Sequence, residues 1–108
     1  EIAPESIIVS PAPDTRLSAT RHTIEGWAWA ATGIASVEIS IDGGDSWRKA
    51  RVNERSEWSW QRFTFDWCPE QVGPATLSVR AFSTTGECQP ANGKRNAVHN
   101  VNIVIDSN

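Results

Sequence analysis

Polar and apolar residues alternate with a period of two along most of this chain. Residues 37–41 read Val-Glu-Ile-Ser-Ile, and the same alternation recurs over residues 77–82 and 101–106. Successive side chains of a β-strand point to opposite faces, so this pattern is typical of strands with one buried and one solvated face. No segment shows the 3.6-residue period of a helix, and the pattern therefore predicts an all-β fold.

Further strands are expected over residues 6–10, 22–29, 47–52 and 58–66. The segments that separate the strands are rich in turn-forming residues: Pro11-Ala12-Pro13-Asp14, Thr32-Gly33, Asp42-Gly43-Gly44-Asp45, Gly73-Pro74 and Thr84-Thr85-Gly86. About seven short strands at this spacing indicate an antiparallel β-sandwich or a barrel. We expect one domain over residues 1–108, in which residues 1–13 combine a linker with an edge strand at residues 7–9.

The charge balance argues against two classes of partner. The chain has 10 Lys and Arg against 13 Asp and Glu, a formal net charge of −3, whereas nucleic-acid binding favours a basic stripe. No apolar run approaches the roughly 20 residues of a membrane helix. We therefore expect no nucleic acid and no membrane as partners.

The chain begins at Glu1 and contains no methionine, so we expect a processed or excised segment.

Cysteine and histidine spacing gives no metal site. Cys68 and Cys88 are either two separate thiols or a disulfide, and spacing alone leaves both readings open. His22 and His99 lie far from them in sequence, and no Cys-x-x-Cys pair is present. His99, at the start of the last strand, is interpreted as a structural hydrogen-bonding group.

Four carboxylates lie near one hairpin, Glu25, Glu38, Asp42 and Asp45. Most are expected on solvated strand faces, and no polar partner suited to acid–base chemistry accompanies them. No Ser/His/Asp set and no phosphate-binding glycine loop is present. The chain is therefore predicted to have no catalytic residues of its own.

The segment from Ser40 to Trp47 carries the sharpest local signal. Gly43 and Gly44 supply positive φ for a tight hairpin, Asp42 can accept hydrogen bonds from the turn, and Trp47 can fold back over it. The spacing resembles the Asp-box of sialidases, which is a structural hairpin found in several unrelated β-proteins. A sialidase needs several such boxes, and this chain has one.

The strand around residues 58–67 has aromatic side chains on both faces. Trp58 and Trp60 share one face, and Phe63, Phe65 and Trp67 share the other. The chain also contains six tryptophans and no tyrosine. Either the second face is covered by a partner, or a barrel-like curl or a bulge near residues 61–62 re-aims the strand.

Several segments together resemble the C-terminal dimerisation domain of sulfite oxidase-type molybdenum enzymes. They occur in the family's order and cover nearly the whole chain from about residue 6: Gly26-Trp27-Ala28-Trp29, residues 37–50, Trp58-Ser59-Trp60, Val79-Arg80-Ala81-Phe82, Gly86, Gln89-Pro90 and Asn96-Ala97-Val98-His99.

The resemblance implies an immunoglobulin-like sandwich of the E-set kind that follows a larger domain holding molybdopterin and molybdenum. It also implies two partners, a second copy in a homodimer and the chain's own catalytic domain. No cofactor is expected in this chain. The family contributes an arginine to the substrate pocket from an Asn-x-Arg-Gly segment, where this chain has Lys94 and Arg95 as candidates. Related bacterial enzymes are often periplasmic, so the periplasm is the default expectation.

The leading hypothesis is a non-catalytic dimerisation and packing domain of such an oxidoreductase. The alternatives are a stand-alone carbohydrate- or protein-binding module and a fibronectin-like spacer. The expected interface residues lie on the aromatic strand and the last strand: Trp58, Trp60, Phe63, Phe65, Val101 and Ile103.

Overall fold

The computed structural model describes residues 4–54, 60–86 and 98–106. Within these ranges the chain forms nine strands and no helix. The strands are β1 (Glu5–Ser10), β2 (Arg16–Ser18), β3 (His22–Trp29), β4 (Ile34–Ser40), β5 (Arg48–Lys49), β6 (Arg51–Val52), β7 (Gln61–Trp67), β8 (Gly73–Ser83) and β9 (His99–Asp106). In the part of the chain that is described, no helix has the length and apolar character needed to span a membrane.

The strands form two sheets that pack face to face. One sheet has four strands in the order β1-β3-β7-β6, and the other has five in the order β2-β9-β8-β4-β5. All pairings are antiparallel except that of β2 with β9, which is parallel. This confirms the predicted immunoglobulin-like sandwich and adds β2, a three-residue strand without an alternating pattern.

The core lies between the sheets and consists of the inward-pointing residues of both sheets. Phe63 and Ile24 from the four-stranded sheet meet Val37, Ile39 and Leu77 from the other, and each of these side chains is at most 1% exposed. Alternation in the sequence therefore predicted the dry face of β4, β8 and β9 correctly.

The predicted strand over residues 47–52 is divided in the structure. β5 pairs with β4 in one sheet, whereas β6 pairs with β7 in the other. The chain changes sheet at Ala50, whose amide donates to the Val37 carbonyl at 2.8 Å. One continuous ladder is impossible where a strand crosses from one sheet to the other.

Gln61 connects separate parts of the fold from a buried position. Its side chain is 6% exposed; Oε1 accepts from the Ile34 amide at 3.0 Å, and Nε2 donates to the Asn53 carbonyl at 2.9 Å. A buried amide that satisfies two backbone groups ties the β4 start to the segment after β6.

Different strands begin and end at the two ends of the sandwich. At the end where β1 begins, here called the proximal end, Glu5 lies opposite Trp29, and the turn at Gly33 joins the two sheets. At the opposite, distal end, Trp67 ends β7 and Gly73 begins β8. The proximal end is also where His99 begins β9.

Candidate functional site

The outer surface of the four-stranded sheet carries an apolar patch, called here the aromatic face, formed by Ile7, Trp27, Trp29 and Trp60. Trp27 lies between Ile7 on β1 and Arg62 on β7. Ile7, Trp27 and Trp60 are 41%, 41% and 42% exposed, respectively. Large apolar side chains this exposed on one sheet face make it the candidate interaction surface.

Gly26 explains why the tryptophans of β3 point outward. A Cβ on Gly26 would lie 1.9 Å from the Ile7 carbonyl oxygen and 2.6 Å from Cζ of Phe63. Phe63 and the β1 backbone thus occupy the inner space beside β3. The inner residues at positions 26 and 28 of β3 are therefore small, Gly26 and Ala28, and the alternating large residues Trp27 and Trp29 lie outside.

Charged groups border the aromatic face on its distal side. Arg62 donates to Oε1 of Glu25 through Nη2 and, at 3.1 Å, through Nε. Further along, Asp66 accepts from the Thr23 hydroxyl at 2.8 Å and lies 3.8 Å from Arg21. The sheet surface is therefore divided into an apolar proximal half and a charged distal half.

The outer surface of the five-stranded sheet is polar by contrast along the facing parts of β8 and β9. Thr76 donates to Asn102 at 2.9 Å, and Ser78 donates to Asn100 at 2.5 Å. These side chains satisfy one another within the chain. The comparison of the two surfaces assigns the aromatic face as the candidate site.

The structure corrects three of the predicted interface residues. Phe63, Val101 and Ile103 are 0%, 1% and 2% exposed and belong to the core, so their side chains reach no surface. β9 is also an interior strand, because β2 pairs with its last three residues. Phe65 is half-buried and packs against the core.

Among the predicted interface residues that the structure describes, only Trp60 lies on the aromatic face. The register between β3 and β7 runs without a shift from Gln61 to Trp67, so no bulge re-aims this strand. Trp58, Lys94 and Arg95 lie outside the described residues, and their roles stay predictions.

Sequence reasoning did not select Ile7, Trp27 and Trp29 as interface residues. The signal was present in Gly26-Trp27-Ala28-Trp29, where small residues alternate with tryptophans. This alternation puts all the large side chains on one face. Which face is outside depends on Phe63, which is distant in sequence.

The predicted hairpin after β4 has a structural role. The Asp42 carboxylate accepts from the Ser40 hydroxyl at 2.6 Å and from the Ser46 amide and hydroxyl at 2.9 and 2.6 Å. These hydrogen bonds, led by that from Ser40, hold the pKa of Asp42 well below its ordinary range. Gly43 and Gly44 have the predicted positive φ, 72° and 104°.

Trp47 packs back toward this hairpin as predicted, and Arg80 lies over its ring at 4.0 Å from the centroid. Arg80 also pairs with Glu38, with Nη2 and Nε at 2.6 and 2.7 Å from Oε1. Glu38 and Asp42 are thus both committed to structural contacts. Across the described ranges, no group of three or more His, Cys, Asp or Glu side chains could hold a metal ion.

An open cleft of about 870 Å³ lies at the distal end, away from the aromatic face, and Trp67, Cys68 and Ile103 are among the residues that line it. Cys68 is exposed. Cys88 lies outside the described residues, so the pairing of the two cysteines stays open.

His99 makes the structural hydrogen bond predicted for it. Its Nδ1 accepts from the backbone N–H of Ile8 at 3.0 Å, across the two sheets. The ring is half-buried, and this burial lowers the pKa of His99 below 6.5.

Comparison with known proteins points to one family. The Mo-co oxidoreductase dimerisation domain family matches residues 1–106. Mitochondrial sulfite oxidase of Homo sapiens is 29% identical over 86 residues, which cover 73% of this chain and 16% of that protein. Sulfite oxidase of Gallus gallus is 32% identical over 54 residues, or 48% of this chain and 12% of that protein. The chain therefore spans about one sixth of the human relative's length.

Comparison with solved structures agrees with this family match and with the sandwich fold. The sulfane dehydrogenase SoxCD of Paracoccus pantotrophus superposes with a TM-score of 0.78 at 27% identity, covering 91% of this chain and 29% of that chain. The fibronectin(III)-like modules of Clostridium thermocellum CbhA superpose with a TM-score of 0.65 at 16% identity, covering 93% of each chain. The latter similarity shows the fold alone.

Proposed function

The chain belongs to the family of Mo-co oxidoreductase dimerisation domains, and from this we propose that it joins two copies of a larger molybdenum oxidoreductase through its aromatic face. The single observation that carries the proposal is the concentration of Ile7, Trp27, Trp29 and Trp60 on one outer sheet surface. A second copy would remove these side chains from water.

The position and borders of this face suit the centre of a homodimer interface. Strands about 4.8 Å apart, with a rise of about 3.3 Å per residue, make the apolar half of the sheet roughly 15–20 Å wide and roughly 13 Å long, or about 200–260 Å². This area is smaller than the roughly 800 Å² per partner of a standard interface. The aromatic face would therefore form the centre, and flanking residues such as Trp58 would complete it. The ion pair between Glu25 and Arg62 suits the polar rim that surrounds such a centre.

We propose that the proximal end contacts the enzyme's own catalytic domain. Support comes from the start of β1 at this end, because the family's larger domain precedes the dimerisation domain. β8 ends at Ser83 and β9 begins at His99 toward this end, and the segment that holds Lys94 and Arg95 connects these two strands. Lys94 or Arg95 would then supply positive charge near an anionic group in the neighbouring pocket.

Molybdopterin and molybdenum are proposed to belong to that catalytic domain, as the family implies. This chain would contribute packing surfaces and no reacting group. Its proposed location is the periplasm, and its sandwich is proposed to be of the E-set kind.

Sedimentation equilibrium tests the interface. Trp27→Ser removes the centre of the aromatic face, and a central interface tryptophan contributes at least about 2 kcal/mol, or roughly 30-fold in the dissociation constant of the dimer. Val72→Ser is the matched control, because Val72 is an apolar residue with 58% exposure at the distal end. We expect Trp27→Ser to weaken the dimer and Val72→Ser to leave it unchanged. Equal dissociation constants for the wild type and both variants would refute the assignment.

The exposed tryptophans also favour a second candidate function, binding of carbohydrate. Flat indole rings stack well on sugars, and Trp27 and Trp60 present such rings to solvent. Quenching of tryptophan fluorescence by an oligosaccharide, in a protein that sediments as a monomer, would favour this function over dimerisation.

A further inference from the structure

The contact between His99 and β1 joins the two sheets beside the aromatic face. Nδ1 of His99 accepts from the Ile8 amide at 3.0 Å, and the two residues are 91 positions apart in sequence. Ile8 is 6% exposed. Its neighbour Ile7 belongs to the aromatic face, so this hydrogen bond positions the strand that forms one border of the proposed dimer interface.

The Ile8 amide has no alternative partner within its own sheet. β1 is an edge strand, and the N–H of Ile8 points toward His99 rather than toward β3. In an antiparallel pair, alternate residues direct their N–H groups away from the neighbouring strand. A buried N–H of this kind needs an acceptor, and here the histidine ring supplies it. The register of β1 and β3 shifts directly afterwards, between Ile8 and Ser10.

The acceptor role fixes the protonation state of the ring. A nitrogen that accepts a hydrogen bond carries no proton, so the neutral ring has its proton on Nε2. Protonation at Nδ1 would replace an attractive contact with two N–H groups that face each other. The protonated state is therefore incompatible with the present position of Ile8.

The charged groups on the surrounding strands do not favour the protonated ring. On β1, Glu5 alternates to the outer face with Ile7. On β8, Val79 lies opposite His99, and the next residue, Arg80, points to the outer surface, where it pairs with Glu38. On β9 itself, Asp106 lies at the distal end and pairs with Arg16 on β2. Burial of the ring, with no carboxylate beside it among the residues that the structure describes, agrees with the lowered pKa of His99.

We propose that His99 is a pH-sensitive clasp for the dimer interface. The neutral ring holds β1 in place and presents Ile7 beside Trp27. The protonated ring releases the Ile8 amide, so the β1 border of the aromatic face loosens and the dimer weakens. This regulation rests on the proposed dimerisation surface. Because the folded state disfavours the proton, the contribution is present above pH 6.5 and is lost as the pH falls below it.

The test compares the dissociation constant of the dimer at pH 8 and pH 5. For the wild type we expect it to increase about tenfold at pH 5, the effect of losing one modest interaction. In His99→Asn, Oδ1 can accept in place of Nδ1 without titrating, so the dimer should be equally tight at both pH values. His22→Asn is the matched control, because His22 contacts the Ser18 carbonyl instead; it should behave as the wild type. An unchanged pH dependence in His99→Asn would overturn the proposal.

Hydrogen exchange separates failure of the clasp from failure of the proposed interface. In Trp27→Ser, which is expected to be monomeric, the protection factor of the Ile8 amide should fall at least about tenfold between pH 8 and pH 5. Constant protection would refute the clasp whatever the oligomeric state. A fall in protection without a change in the wild-type dissociation constant would refute its regulatory role.

Discussion

Replacing Gly26 with alanine should destabilise the chain by about 3 kcal/mol, because β3 lies too close to its neighbours for a side chain on the inner face. The added Cβ would lie 1.9 Å from the Ile7 carbonyl oxygen and 2.6 Å from Cζ of Phe63. Real Cβ contacts are essentially never shorter than 3.0 Å. The Phe63 ring could give way by a few tenths of an ångström, but the Ile7 oxygen is backbone and requires all of β1 to move.

The magnitude follows from what β1 loses when it moves. Replacing glycine with alanine reduces the conformational entropy of the unfolded chain, and this stabilises the folded state by about 0.4–1 kcal/mol. Against this, overpacking costs about 1–3 kcal/mol, and exposing the buried Ile8 side chain costs roughly 1.5–3 kcal/mol. The net effect is a large fraction of the 5–15 kcal/mol typical of a folded domain.

Urea unfolding followed by tryptophan fluorescence measures this loss. The double variant Gly26→Ala/Phe63→Leu relieves the side-chain contact and leaves the backbone contact, so it should recover less than half of the stability. A loss below about 1 kcal/mol in the single variant would refute the steric argument. Full recovery in the double variant would show that Phe63, rather than β1, limits the space at residue 26.

Three further predictions concern polar contacts. Gln61→Leu should cost about 2–4 kcal/mol, because two buried backbone groups lose their partners, and urea unfolding measures the loss. Asp42→Asn should remove part of the acid sensitivity of the melting temperature: the lowered pKa of Asp42 means that its stabilising contribution is lost as the pH falls below the ordinary value of 3.8. An equal acid-induced decrease in both proteins would contradict this. Arg80→Met should lower the free energy of unfolding by about 1–2 kcal/mol, because Arg80 loses its contacts with the Glu38 carboxylate and the Trp47 ring. The control is Arg16→Met, which should cost less than about 1 kcal/mol, because the Arg16 side chain is 67% exposed. Similar losses in the two variants would argue against the Trp47 contact.

The sequence predicted the strands best where alternation is regular. Residues 22–29 form β3 with the expected bounds, and the glycines after β4 adopt the positive φ that the turn requires. Residues 7–9, which were expected to pair as an edge strand, belong to β1, the first strand in the order of the four-stranded sheet. β2 was not predicted, since three residues are too few to show a period, and its parallel pairing depends on β9 at the other end of the chain.

The interface prediction shows where local pattern is insufficient. Alternation correctly placed Trp60 and Phe63 on opposite faces of the strand, because consecutive residues of a strand point to opposite faces. It could not determine which face is buried when both carry aromatic side chains. The choice depends on the close packing of Phe63 against Gly26, and thus on a contact between strands that are distant in sequence.

The sequence by itself therefore determined the all-β class, most strands, the hairpin after β4 and the resemblance to a dimerisation family, because these depend on residues close together in the chain. Only the tertiary structure decided that Trp27, Trp29 and Ile7 share an exposed face, that β2 pairs with β9, and that the His99 ring accepts a hydrogen bond from the Ile8 amide. Each of these depends on which strands become neighbours. The arrangement of neighbouring strands minimises exposed apolar surface and unpaired backbone groups over the whole fold, so it cannot be predicted from any single segment of the sequence.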